Sequence, residues 1–164
     1  CPNSPENSSA RYTECRPVVL RFFTVYGPKP RPDQAVCIFT RALLEGRAIR
    51  ILGDGEQLRG MSYMDDVAAA ILVAAERDCE GEILNVGGPD GITVNQLVGQ
   101  LEEITGERAR REYVGQAKGD ARHTLADIAR AERLLGWRPA TSVAAGLERT
   151  VASIRAYYRS GGGD

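Results

Sequence analysis

The chain has 164 residues, enough for one domain that buries its own core. Apolar residues make up 43% and charged residues 26%, the balance of an ordinary folded domain. A formal charge of -1 gives no electrostatic case for nucleic acid or an anionic membrane, and no apolar run approaches the roughly 18 residues of a membrane span. No signal-peptide pattern opens the sequence. Its four cysteines (Cys1, Cys15, Cys37, Cys79) are scattered without CxxC spacing, and one histidine, His123, argues against a zinc site. They read as buried or free thiols of a cytoplasmic protein.

Residues 1–16 are polar and proline-punctuated and carry no expected structure, an N-terminal remnant ahead of the folded region at 17–158. Pro17-Val18-Val19-Leu20 opens an apolar strand that runs to about residue 23 without alternation. That pattern predicts a strand of a parallel sheet covered on both faces. Gly27-Pro28 stops it, and residues 29–34 form a proline-rich loop. Val36, Phe39, Leu43 and Leu44 predict a helix from Ala35 to Glu45, with Gly46 at its C-cap. Ala48 to Leu52 reads as a short strand closed by the turn Gly53-Asp54-Gly55.

Residues 64–77 predict a second helix. Asp65 and Asp66 lie in its first turn, where carboxylates suit the helix dipole, and they read as such rather than as acid/base groups. Val67, Ala70, Ile71 and Ala74 form its apolar stripe. Glu82 to Val86 is a buried strand, ended by Gly87-Gly88-Pro89-Asp90-Gly91. Thr93 caps a helix to about Thr105, with Gln96 completing a capping box. A basic strand around Arg108–Tyr113, a helix from Asp127 to Leu135 stopped by Gly136, and a helix capped by Ser142 complete the reading. The last helix presents Val143, Leu147, Val151 and Ile154 along one face, and residues 159–164 read as a flexible tail. The alternation predicts an α/β fold with a mostly helical end.

Four motifs occur in order. They are Arg21-Phe22-Phe23-Thr24-Val25-Tyr26-Gly27-Pro28 with Arg31-Pro32-Asp33; Gly53 through Ala68; Asn85-Val86-Gly87 with Thr93-Val94; and Gly119-Asp120 through Pro139. The ordered set resembles the carboxy-terminal, substrate-binding half of the extended short-chain dehydrogenase/reductases that act on nucleotide sugars. The resemblance covers about residues 16–158. It implies the end of an extended Rossmann-type fold, without the Gly-rich dinucleotide-binding half. It also implies NAD as cofactor of an intact member, though none bound by this chain alone, and a nucleotide sugar, UDP-linked, as ligand.

Position by position, the resemblance puts Phe23 beside the nicotinamide end of the cofactor and Thr24 against the sugar nucleotide. Arg50 and Ile51 would flank the nucleobase, Arg59 would bind the diphosphate, and Asp120 would lie near the ribose or hold the late loop. A guanidinium fork suits phosphate oxygens on physical grounds as well. Phe23 also reads as a core aromatic, and Arg59 as a solvated loop arginine. The chain departs from the pattern at Gly60, where the family usually has aspartate, and at Ala117, where it commonly has a basic or amide side chain. A glycine at 60 is expected to loosen the backbone beside Arg59.

Two absences limit the chemistry. No Gly-rich turn joins a strand to a helix as a pyrophosphate cradle requires. The general-base tyrosine with a lysine four positions on is also missing, because Lys29 and Lys118 are the only lysines. The expected function is therefore the substrate-binding portion of an NAD-dependent epimerase/dehydratase, catalytically incomplete as given. A non-catalytic binding module, or an interaction protein using exposed strand edges, stays open. Expected partners are a nucleotide sugar and either further copies of the chain, as a homo-oligomer, or a missing N-terminal half.

Overall fold

A computed structural model describes residues 16–88, 90–115, 119 and 121–160 of the protein. The expectations for residues 1–15, for Ala117 and Asp120, and for the tail beyond residue 160 lie outside the described residues.

The first strand region is two strands rather than one. β1 (Val19–Phe22) runs parallel to β5 (Ile83–Val86), whereas β2 (Thr24–Tyr26) runs parallel to β4 (Leu58–Tyr63). Phe23 stands at the handover, its N–H still donated to the Val86 carbonyl at 3.3 Å. A chain that leaves one neighbour and joins another opens a crevice between the diverging strands, the usual seat of a ligand in α/β sheets.

β4 is the hub. It also pairs antiparallel with β6 (Gly91–Thr93) and parallel with the two-residue β8 (His123–Thr124). Neither β4 nor β6 is apparent from hydrophobic pattern. β3 (Ala48–Leu52) pairs in parallel with β7 (Arg110–Val114), which makes a separate two-stranded sheet.

The helices fall close to their expected bounds: α1 Ala35–Leu44, α2 Met64–Glu76, α3 Val94–Thr105, α4 Ala129–Leu135 and α5 Val143–Arg159. Thr93 and Gln96 form the reciprocal capping box of α3. Gly46, Gly106 and Gly136 take left-handed conformations just past α1, α3 and α4.

Two cores hold these elements. One joins α1, α3 and α5 through residues such as Phe39, Leu43, Leu101 and Leu147 to Ile49, Ile51 and Tyr63 of the strands. The other packs Val67, Ala70 and Ala74 of α2 against Leu84, Val86, Ala131, Leu135 and Trp137.

Two expectations about burial are corrected. Ile71 is 46% exposed, because the small residues of α2 rather than the whole apolar stripe face the core. The strand at 17–23 is not covered on both faces: Val19 and its register partner Ile83 are 44% and 47% exposed.

Candidate functional site

A cleft of about 720 Å³ opens beside the β1–β2 handover and is lined by Phe23, Thr24, Arg59, Met61 and the loop after β2. Arg59 lies inside strand β4 rather than in a loop, with Ile92 on one side in register and Thr124 on the other. Its Nη1 donates to the carbonyl oxygens of Ala121 at 2.7 Å and Leu58 at 3.0 Å. Those bonds fix a half-buried guanidinium at the cleft wall, where it can meet an anion.

Gly60 does not loosen this region. A Cβ at Gly60 would stand 3.2 Å from the carbonyl oxygens of both Gly88 and Thr124, so glycine lets two backbone segments close on β4. Gly88 is tighter still: a Cβ there would lie 2.2 Å from the Met61 carbonyl oxygen. Its N–H is donated to the Ser62 hydroxyl at 3.1 Å.

Phe23 and Thr24 reach the same cleft as Arg59. Phe23 packs against the second core, as a core aromatic does, and also lines the cleft. Arg50 and Ile51 do not act together. Successive side chains of a strand point to opposite faces, so Ile51 is fully buried in the core while Arg50 is exposed on the outer face of β3 with Leu52. Neither lines the cleft, and a nucleobase contact from the Ile51 side chain is excluded by its burial. Asp120 is outside the described residues.

Sequence reasoning missed Lys29, Arg31 and Gln34, which also line the cleft. Gln34 donates its Nε2 to the Val25 carbonyl at 2.8 Å, tying the loop to β2, and its Oε1 is buried without a partner. Arg31 lies 3.1 Å from Asp33 in an exposed pair. Lys29 holds a left-handed φ of 56°, and its N–H is donated to the Ser153 hydroxyl at 3.1 Å. The proline punctuation was the available signal for a loop of fixed shape.

The tyrosine at the cleft is no acid/base group. Burial first, then the neighbouring Asp66 and Tyr63, push the Tyr26 hydroxyl far above its ordinary value, and it donates to the Val143 carbonyl at 3.2 Å. Among the described residues no three metal-ligating side chains converge. Nor do the described residues fit a dinucleotide pyrophosphate: the glycines after β3 and β5 lead into strands β4 and β6 rather than helices. Gly88, moreover, is packed against Met61 instead of open to a ligand.

The model of the NAD dependent epimerase/dehydratase family matches residues 5–87, just over half of the chain. The chain belongs to this family. It is 42% identical over 134 residues to a UDP-glucuronate 4-epimerase of Thermodesulfobacterium geofontis, covering 81% of this chain and 41% of that one.

Among solved structures, the epimerase fold is matched by the Bacillus cereus UDP-glucuronic acid 4-epimerase in complex with UDP-glucuronic acid and NAD. The TM-score is 0.82 at 36% identity, over 86% of this chain and 46% of that one. The Thermotoga maritima UDP-glucose 4-epimerase with UDP-glucose matches with a TM-score of 0.81 at 41% identity, over the same shares. The chain thus spans less than half the length of the epimerases it matches, and corresponds to the carboxy-terminal part of their extended Rossmann-type fold.

Proposed function

We propose that this chain is the nucleotide-sugar-binding portion of a UDP-sugar 4-epimerase-like protein, catalytically incomplete by itself and dependent on a dinucleotide-binding half for NAD chemistry. The observation that carries this reading is the Arg59 guanidinium, fixed by backbone carbonyls at the wall of a cleft that also holds Phe23 and Thr24. In this reading Arg59 takes the diphosphate, and Thr24 meets the sugar. Asp120 contacts the ribose, and Arg50 lies on the nucleobase side. Phe23 closes the end nearest the nicotinamide of the complete enzyme.

Lys29 and Arg31 add two cations to the cleft beyond Arg59 and Asp33 offsets one of them, and the net positive lining favours a uronic acid over a neutral hexose. Two described cysteines, Cys37 and Cys79, are buried free thiols, which fits a reducing cytoplasm. No helix among the described residues is long and apolar enough to cross a membrane.

Calorimetric titration with UDP, UDP-glucose and UDP-glucuronic acid tests the reading. UDP is expected to bind the native chain, and Arg59→Ala to weaken it about 10- to 100-fold, the loss of a charge-assisted contact. UDP-glucuronic acid should bind more tightly than UDP-glucose, with Arg31→Ala narrowing the gap. A native chain that ignores all three ligands removes the assignment.

A second reading, an association surface, is favoured by the exposed pair Val19 and Ile83 on the β1–β5 face. The two are compatible, because that face lies beside the cleft without forming it.

A further inference from the structure

We propose that Asp54 and Arg122 are the positioning pair that sets Arg59 in its binding geometry. The inference rests on the reading of Arg59 as the diphosphate ligand, and it follows from how that side chain is held. Gly60 offers no side chain to brace its neighbour, and a Cβ there would press on the Gly88 and Thr124 carbonyl oxygens at 3.2 Å. The guanidinium donates to the Ala121 carbonyl at 2.7 Å as well as to the Leu58 carbonyl beside it, so its place depends in part on the place of a carbonyl from a distant segment.

Ala121 belongs to no helix or strand, and β8, which follows, is only two residues long. So short a ladder is a weak hold on the segment. The next residue supplies the tie. Arg122 Nη1 stands 2.8 and 3.0 Å from the two carboxylate oxygens of Asp54, in the turn between β3 and β4. The Arg122 carbonyl in turn accepts the Leu58 N–H at 2.8 Å, next to Arg59 itself.

The Asp54 end is rigid. Its Oδ1 accepts the Glu56 N–H at 2.9 Å, and its backbone carbonyl accepts from Asn95 Nδ2 at 3.0 Å. Asn95 also donates its N–H to Gly55 and accepts from the Tyr113 hydroxyl, both at 3.0 Å. The turn is therefore bolted to the start of α3 and to β7. The N–H of Glu56 and the guanidinium of Arg122 hold the Asp54 carboxyl below the usual carboxylate range. One ion pair thus connects a fixed turn to the loosely held segment that carries the Arg59 anchor.

Both side chains are about half exposed, at 52% and 54%. Such pairs contribute little to global stability, but they can order a weakly held segment whose local opening costs little. Arg122→Gln is expected to weaken UDP binding about two- to fivefold, the range of an exposed ion pair, with an unchanged melting temperature. Arg122→Lys should recover most of the loss, since a single donor reaches both carboxylate oxygens. In an Arg59→Lys background the Arg122→Gln effect should shrink, because the two act through one geometry.

Hydrogen exchange on the unliganded chain separates failure of this proposal from failure of the UDP reading. The Leu58 amide, bonded to the Arg122 carbonyl, should exchange faster in Arg122→Gln. Native-like exchange at Leu58 in that variant overturns the positioning role whether or not UDP binds. Faster exchange with no UDP binding to the native chain upholds the tie and removes its ligand.

Discussion

Asp66 sits in the first turn of α2, where a carboxylate suits the positive end of the helix. Its side chain does something more specific. The two oxygens accept the N–H groups of Ala140 and Thr141, each at 3.1 Å, while its backbone carbonyl accepts from Trp137 Nε1 at 3.0 Å. One residue therefore docks the whole connector between α4 and α5 onto α2. Asp66 is 8% exposed, so truncation leaves two N–H groups without their acceptor. Asp66→Ala is expected to destabilise the fold by about 2–4 kcal/mol, the cost of orphaned partners of a charged acceptor. Asp66→Asn, which keeps one acceptor oxygen, should recover part of it. Urea unfolding followed by Trp137 fluorescence measures both, and equal losses for the two variants would show that one amide oxygen replaces none of the carboxylate's hold on the connector. At Gly88 the constraint is volume: a Cβ 2.2 Å from the Met61 oxygen must push β4 from the loop. Gly88→Ala is expected to lower both stability and UDP affinity, since β4 carries Arg59.

Among the elements, α3 shows how a segment declares itself and how it is tied down. Thr93 and Gln96 close both ends of a capping box, and Gly106 takes a φ of 77° at the C-cap. Thr93→Ala is expected to cost about 1 kcal/mol, measured by thermal unfolding. In the last turn of α3, Glu102 joins the helix to β7. Burial pushes its carboxyl upward, but the Ala109 N–H at 2.8 Å and the Arg111 guanidinium at 2.6 Å outweigh that and hold it below its ordinary range. A folded-state value below the unfolded one, about 4.3, gives stabilisation that is complete above that pH. It is lost as pH falls through the folded value. Native chain and Glu102→Gln should therefore differ in urea midpoint at neutral pH and converge once the pH has fallen below the folded-state value. The same elements explain what the sequence could reveal. α3, β3 and α5 were legible because caps and periodicity are local signals. β4 and β6 were not, because Gly60 and Gly91 interrupt their patterns and their stability comes from pairing with distant segments. Arg59 could be picked out by its motif, but its anchor at Ala121 lies 62 residues away and leaves no local trace. The motif names Ile51 as a nucleobase neighbour without saying which side of a strand each side chain takes, and this one turns into the core.

For the whole molecule, the open question is what meets the β1–β5 face. Among the described residues β1 pairs only with β5, so its other edge offers unpaired backbone groups. Val19 and Ile83, adjacent in register, expose 44% and 47% of their surface, and Phe22, on the other face of β1, exposes 47%. A net charge of -1 supplies no repulsion between copies. An open edge, an apolar face and near-zero charge together predict self-association when this chain is alone in solution. Light scattering is expected to give a mass above the monomer's 17.8 kDa that rises with protein concentration. Lysine on a sheet face or edge opposes such pairing by bringing a charge that must stay hydrated, so Val19→Lys with Ile83→Lys should return the mass to that of a monomer. UDP binding should survive the double substitution, since neither residue lines the cleft. A native chain that stays monomeric at every concentration would show that edge and face are tolerated in water. Loss of UDP binding along with association would mean instead that the cleft forms only between copies.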